Sequence, residues 1–222
     1  MLDAFCGCGT TMAVAERYNR QWIGIDISYQ SISLVLKRLQ DTFGEAIIKD
    51  IILDGVPKDM DSAVALANKK DDRLRKEFEK WAILTYTNNR GVINYKKGAD
   101  AGIDGIVYFK DPNEKRMVLQ VKSGKVGRGD IAKLNNDMQR ENAELAVLIT
   151  LQGPTKPMIE EAKGKGYYRH ELTKQKFDRI DIITVNDIIE NNKRLNLPWV
   201  RDVVKSAQWE GKENIEEQPL EF

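Results

Sequence analysis

Residues 102–122, GIDGIVYFKDPNEKRMVLQVK, decide how the chain is read. The runs IVYF (106–109) and MVLQVK (117–122) are rich in apolar and β-branched residues, and the polar KDPNEK between them supplies a turn. Two apolar strands around a polar turn form a hairpin. In VLQVK the period of two puts Gln120 and Lys122 on one face and Val121 on the other, where it joins the core. If the hairpin folds symmetrically about its turn, Asp104 lies across from segment 120–122, and a carboxylate, an amide oxygen and an ammonium converge at one edge of a sheet. Asp104 and the Gln120 side-chain oxygen are hard ligands suited to Mg²⁺, with the Val121 carbonyl as a third. Lys122 would then position an attacking water and offset charge building on phosphoryl oxygens. By itself the pattern fits equally a surface hairpin in which Asp104 tightens a Gly-rich turn while Gln120 and Lys122 face solvent.

Outward from the hairpin, 74–84 predicts an amphipathic helix with Leu74, Phe78, Trp81 and Ala82 on one face and Glu77 and Glu79 nearer the polar side. Downstream, GRGDIAKLNNDMQRENA reads as a helix, AVLITL as a strand, 155–164 as a helix with Pro157 in its first turn, and 178–185 as a strand. A last helix follows, capped at Asn186 or Asp187. This order predicts an α/β sandwich with a mixed sheet. His170 reads as a surface or edge residue rather than a catalyst, and Tyr167 and Tyr168 either contact DNA or cap the sheet end, the latter being favoured.

Upstream, MLDAF, the loop CGCG and 10–18 form a strand, a turn and a helix capped by Thr10 or Thr11; WIGID (22–26) ends a second strand at Asp26, and Ser28 caps a second helix. EAIIKDI (45–51) is expected as a third strand, in a parallel α/β arrangement. Gly7 and Gly9 let the backbone come close to a ligand, and Asp26 can accept both hydroxyls of a ribose. A helix terminus packed close to a sheet, with Asp26 an ordinary turn carboxylate, explains the same residues. Only Met1 and Leu2 precede Asp3, so we expect the chain to begin inside a larger domain or a partner to supply further strands. Residues 1–52 should therefore pack against the rest of the chain or a second chain. Segment 53–71 carries turn signals, a helix over 60–67 and a charged hinge, placing a domain boundary near residue 70.

The chain has 222 residues, 41% hydrophobic and 31% charged, a globular rather than disordered balance. No window approaches the roughly 20 apolar residues of a membrane span, and no secretion signal opens the chain. Its 35 basic and 34 acidic residues leave a net charge of +1, so any DNA contact must arise locally. Segment 110–133 is such a place, with seven basic residues against three acidic ones. One histidine excludes His-rich metal centres and argues against hydrolase triads. Cys6 and Cys8, one residue apart, fit neither a disulfide framework nor a zinc site and suit a reducing, cytoplasmic setting.

GADAGIDG…LQVKSG resembles the core of PD-(D/E)xK nucleases, specifically the branch related to bacterial restriction endonucleases of methylated DNA, in which Gln replaces the second acidic residue. The resemblance implies a three-layer restriction-endonuclease-like domain with a mixed sheet over 71–198, followed by a loose tail, 199–222. It implies Asp104 and Gln120 as metal ligands and Lys122 as the catalytic lysine. Helix FEKW matches the first helix of that family and makes Glu79, rather than Glu77, the further acidic group of the site.

LDAFCGCGTT…RQWIGIDIS resembles the S-adenosylmethionine loop and ribose-binding strand of amino-group DNA methyltransferases, with Ala4 for the usual Pro and Cys8 for the usual Ser. Asp3 and Gly7 would line the methionine end of the cofactor, with Gly9 in the same loop, and Asp26 would hold the ribose. The family's Pro-Pro catalytic signature is absent, since no two prolines are adjacent. Residues 1–70 are thus expected as a partial Rossmann-like methyltransferase fragment that does not methylate by itself. Together the resemblances imply an Mg²⁺-dependent (or Mn²⁺-dependent) endonuclease acting on double-stranded DNA as a homodimer in a restriction system. The other class they allow is a non-catalytic DNA-binding or assembly module that tethers a separate methyltransferase subunit.

Overall fold

The computed structural model describes residues 1–95 and 102–202. The start of the Gly-rich loop, 98–101, and the tail beyond 202 lie outside the described residues. The element order is β1 (Leu2–Asp3), α1 (Thr10–Arg17), β2 (Ile23–Gly24), α2 (Tyr29–Phe43), α3 (Met60–Ala67), α4 (Asp72–Tyr86), β3 (Val92–Ile93), β4 (Gly105–Asp111), β5 (Asn113–Lys122), α5 (Arg128–Arg140), β6 (Leu145–Thr150), α6 (Lys156–Lys163), β7 (Tyr167–Arg169), β8 (Lys176–Asp178), β9 (Ile180–Thr184) and α7 (Val185–Ile189).

Five strands make one mixed sheet in the order β3-β4-β5-β6-β9. The first three are antiparallel neighbours, while β5-β6 and β6-β9 are parallel. The expected mixed sheet flanked by helices is what forms. Strand alternation sorts its two faces: Met117, Leu119 and Val121 of β5 enter the core shared with α3, α4 and α7, whereas Val118 enters the core shared with α5 and α6. All six residues of β6 are buried, as a central strand covered on both faces requires. Helix α4 is capped by Asp71, whose carboxylate accepts the Arg73 N–H, and buries Phe78, Trp81, Ala82 and Ile83. It ends where Asn88 and Asn89 adopt positive φ, a conformation their short polar side chains tolerate.

The N-terminal segment builds a small parallel pair, β1 with β2, closed by α1 and α2 over Cys6, Met12, Val35 and Leu39. It does not project freely, because α2 packs on α4. The Tyr29 N–H donates to a Glu77 carboxylate oxygen at 2.8 Å, and the Tyr29 and Thr85 hydroxyls lie 3.0 Å apart. The outer side of the pair stays open, with Leu2, Ile23 and Ile27 exposed.

Several expectations are corrected. The segment expected as a third strand instead opens with a 3₁₀ turn, Glu45–Lys49, and Ile47 and the following Ile51 pack against the small core beneath α1 and α2. The cap of α1 is Gly9 rather than Thr10 or Thr11. Its φ is +78°, and a Cβ there would lie 2.8 Å from Val35, so the close approach of α2 demands glycine. Helix α7 is capped by Thr184, with Asp187 completing a reciprocal box at the third position rather than acting as the cap. Residues 176–178 pair with β7, which shortens the last strand to Ile180–Thr184. His170 is wholly buried: its Nδ1 lies 3.0 Å from the equally buried Asp111, and its ring packs near Phe109, Tyr168 and Trp199.

Candidate active site

Strand β4 starts at Gly105 opposite Leu119, and Asp104 sits just before it. Its backbone is held on both sides. The Asp104 N–H donates to the Leu119 carbonyl at 2.9 Å, and its carbonyl accepts the Asn94 N–H at 2.9 Å. The side chain then reaches along the edge of β5, where Oδ2 accepts the Val121 N–H at 2.7 Å. A strand residue points its N–H and C=O to the same side. The Val121 carbonyl therefore faces the side on which Asp104 lies, beyond the start of β4.

Gln120 projects from the opposite face of β5 to Val121 and is almost fully buried. Its side-chain N–H donates to the Gly102 carbonyl, while its buried Oε1 has no hydrogen-bond partner among the described residues. Buried polar atoms are nearly always satisfied, so an orphaned amide oxygen two residues from Lys122 marks a place for a ligand. Among the described residues Lys122 makes no hydrogen bond or ion pair through its ammonium, yet its charge bears on both Asp104 and Glu79.

Glu79 arrives from α4. It and Asp104 line one cleft of about 800 Å³, together with Lys76 of α4 and Ile27 and Ser28 of the N-terminal segment. Burial pushes the Asp104 carboxyl up to about 7; the Glu79 charge adds to this, against the Val121 hydrogen bond and the Lys122 and Lys76 ammonium groups. Burial also raises Glu79, opposed by Lys76, Arg75 and Lys122. Two buried carboxyl groups whose affinity for protons is raised, in one cleft with Lys76 beside them, suit a cation of higher charge. Glu77 is engaged elsewhere, by Tyr29 and by the Lys80 ammonium at 2.6 Å. Of the two helix acids, Glu79 is thus the one beside Asp104.

A family model described as restriction endonuclease matches residues 74–189, just over half of the chain. The chain belongs to this restriction endonuclease family. The match begins in α4 and ends at α7, so it spans the whole five-stranded sheet together with Glu79, Asp104, Gln120, Val121 and Lys122. A second family model, described as DNA methylase, matches residues 1–37, making the segment that lends Ile27 and Ser28 to the endonuclease cleft similar to a piece of a methylase. No curated protein matches the chain.

Among the described residues no three His, Cys, Asp or Glu side chains cluster as a metal centre. An endonuclease metal here would rest on a mixed set: the Asp104 carboxylate, the orphaned Gln120 amide oxygen and the Val121 carbonyl. Hard neutral oxygens beside one carboxylate suit Mg²⁺, and the unsatisfied Gln120 Oε1 is the observation that makes the set fit. Sequence spacing brought Asp104, Gln120, Val121 and Lys122 together. It missed Lys76, whose signal was its place three residues before Glu79 on α4, and the wall formed by Ile27 and Ser28, which no local pattern announces.

In the N-terminal segment both Asp26 oxygens are engaged by backbone: Oδ2 accepts the Gly7 N–H at 3.0 Å and Oδ1 the Ser28 N–H at 2.9 Å. Gly7 has φ +49°, and Asp3 accepts the Phe5 N–H at 3.2 Å. Asp26 and Gly7 are therefore in contact, while Gly9 serves the packing of α1 on α2. The basic segment 110–133 is partly consumed by internal pairing. Lys115 bonds Glu144 at 3.0 Å, Arg128 bonds Glu161 at 2.7 Å, and Arg116 stacks over Tyr108.

Proposed function

We propose that the chain is a divalent-metal-dependent deoxyribonuclease of the Gln-x-Lys branch, hydrolysing phosphodiester bonds of double-stranded DNA in a restriction system. The observation that carries the reading is the buried Gln120 Oε1, without a partner among the described residues, on the strand whose Val121 N–H is held by Asp104. Asp104, Gln120 and the Val121 carbonyl hold Mg²⁺, or Mn²⁺ in its place. When bound, the ion supplies Lewis-acid polarisation of the phosphodiester. Lys122 Nζ donates to a phosphoryl oxygen and offsets the charge that develops there. Glu79 adds a carboxylate from the facing helix. Water oxygen bonds to phosphorus as the bond from phosphorus to the 3′ oxygen breaks, leaving a 5′-phosphate and a 3′-hydroxyl.

Residues 71–198 make up the nuclease domain in this proposal, and residues 1–70 the methyltransferase-like fragment and linker. Asp3, Gly7, Gly9 and Asp26 form its S-adenosylmethionine site, which has no transfer activity of its own. Cutting both strands of a duplex calls for two sites, which a homodimer provides. A reducing, cytoplasmic setting suits the free thiols Cys6 and Cys8. Among the described residues no helix is long and apolar enough to cross a membrane. The open side of the β1–β2 pair favours a second reading, in which the chain tethers a methyltransferase subunit without cutting DNA. Incubating plasmid DNA with the protein in Mg²⁺ and in chelator separates the two. The nuclease cuts only with Mg²⁺ and leaves mappable 5′-phosphate ends, whereas the tether binds DNA in both and cuts in neither.

A further inference from the structure

Gln120 offers either an oxygen or an amino group to the site, according to how its planar amide is turned. The two faces differ chemically: one accepts and coordinates, the other donates and repels a cation. What fixes the turn is Gly102. Its carbonyl receives the Gln120 Nε2 hydrogen, and the opposite orientation would set two oxygen atoms against each other. Gly102 manages this approach because it has φ +88° and no side chain; a Cβ there would lie 2.5 Å from Gln120 Nε2. Close contact and left-handed backbone each demand glycine at this position.

We infer that Gly102 is a positioning residue of the nuclease site: its backbone carbonyl holds the Gln120 amide nitrogen, so that Oε1, and not Nε2, is left for the divalent cation. The inference rests on the metal reading proposed above and deepens it, because it explains how a neutral amide serves where a carboxylate would need no such orientation. A carboxylate presents oxygen whichever way it turns; glutamine has to be held. Gly102 thus acts through Gln120 and touches neither metal nor DNA. Partners that orient a metal ligand are commonly worth about 10-fold to 100-fold in affinity when lost.

The test is a double-mutant cycle on the full chain, read as Mn²⁺ affinity by calorimetry without DNA. Gly102→Ala should weaken Mn²⁺ binding by about tenfold or more, with far-UV circular dichroism unchanged, and Gln120→Ala should do at least as much. In the Gln120→Ala background, Gly102→Ala should cost no further affinity, because the group it positions is gone. Equal losses from Gly102→Ala in both backgrounds would overturn the positioning role and leave the metal reading intact. Undiminished Mn²⁺ affinity in Gln120→Ala would instead overturn Gln120 as a ligand, and the inference with it. If Gly102→Ala does not fold, the side-chain amide protons of Gln120 in the wild-type protein decide. One slowly exchanging proton, held by the Gly102 carbonyl, supports the inference, and two protons exchanging at the rate of an exposed amide overturn it.

Discussion

The backbone N–H of Tyr29, at the first turn of α2, donates to the carboxylate of Glu77 in α4, 2.8 Å away and 48 residues on. This bond ties the methylase-like segment to the helix that carries Glu79, and the other Glu77 oxygen takes the Lys80 ammonium. Glu77 is mostly buried, so its removal leaves the Tyr29 donor short of a partner in a poorly solvated place. Hydrogen bonds to charged groups contribute about 1.5–3 kcal/mol. Glu77→Ala should therefore lower the unfolding free energy by that amount, seen as a lower urea midpoint with the denaturant slope unchanged, and speed hydrogen exchange across 29–32. An unchanged midpoint would mean that the segment and α4 are not energetically coupled through this bond.

Asp104 makes the site pH-dependent in a direction that can be worked out. Its folded-state pKa, about 7, lies above the ordinary carboxylate value of 3.8. The folded form thus holds a proton that the unfolded form releases, and the associated stability is complete below pH ~4 and lost as pH rises through about 7. Asp104→Asn removes this penalty, so in metal-free buffer at pH 8 the variant should melt higher than wild type, by about 2–8 °C for a gain of 1–2 kcal/mol. In the wild type the cation must displace that proton, so metal affinity should rise from pH 6 to pH 8 with proton release seen in buffers of different ionisation enthalpy. Release of no proton at pH 6 would count against Asp104 as a ligand.

Among the described residues Lys122 makes no ion pair, which leaves its ammonium available for a phosphate. Lys122→Ala should reduce cleavage by at least about 100-fold, the scale on which removal of one charge-stabilising donor acts, while Mn²⁺ affinity stays within a fewfold of wild type. Asp104→Ala should lose both. Single-turnover cleavage under saturating protein reads the first effect and calorimetry the second. Equal loss of metal binding in the two variants would make Lys122 a structural rather than a catalytic group.

The hairpin and the cluster on it were legible because both rest on local rules: alternation in VLQVK and symmetry about KDPNEK place Asp104 opposite Gln120–Lys122 without any distant contact. The helix α3 was read to the residue, since Asp59 and Ser62 form a capping box at its start. What escaped was set by partners far away in sequence. The apolar EAIIKDI run read as a strand, whereas the chain turns at Glu45–Lys49 and packs Ile47 and Ile51 against the α1–α2 core, a contact no local pattern states. His170 looked like an edge residue because the carboxylate that receives it, Asp111, lies 59 residues earlier, at the tip of the β4–β5 hairpin. The amide of Gln120 is oriented by Gly102, eighteen residues away, and no spacing rule states which way an amide turns.

Asp111 gathers a buried network that should dominate acid stability. It accepts the Glu171 N–H at 2.8 Å, the Leu172 N–H at 3.0 Å and the Tyr168 hydroxyl, and sits against His170. Burial alone would raise its carboxyl, but the Tyr168, Glu171 and Leu172 hydrogen bonds and the His170 charge bring it below the usual carboxylate range. A depressed folded-state value gives stability that is present above the unfolded pKa and lost as pH falls through the folded one. Asp111→Asn should cost about 2–4 kcal/mol at pH 7, since a buried charged acceptor of several bonds is replaced by a group that cannot accept them all. That gap should begin to narrow below pH ~4, where the unfolded-state carboxylate protonates, and go on closing as pH falls through the lower folded-state value. A gap constant from pH 7 to pH 3 would show that packing, not charge, holds the β7–β8 hairpin in place.

Asp26 binds its own loop, through Gly7 and Ser28, and that arrangement shapes what S-adenosylmethionine does to the protein. Each carboxylate oxygen has one bond to backbone and a second lone pair still available, so a ribose diol can add its two donors without displacing the loop. A ligand that binds only the folded form stabilises it by mass action, about 1.4 kcal/mol at ten times its dissociation constant. Melting should therefore move up by roughly 3–6 °C in millimolar S-adenosylmethionine, with no methyl group transferred to DNA. Asp26→Ala should abolish the shift and also lower the ligand-free melting point, because it unpins Gly7 and Ser28. Asp26→Asn separates the two effects: it keeps one acceptor for the loop and loses the paired acceptors of the diol. A normal melting point with no ligand shift in Asp26→Asn would assign the carboxylate to the ribose, whereas a shift equal to that of the wild type would leave Asp26 a loop brace. Exchange of the Ile23 and Ile25 amides, which donate to the Met1 and Asp3 carbonyls at 2.8 and 2.9 Å, reports whether the pocket is formed beforehand. Protection already present without ligand means binding to a built site, and protection gained only with ligand means that the cofactor folds it.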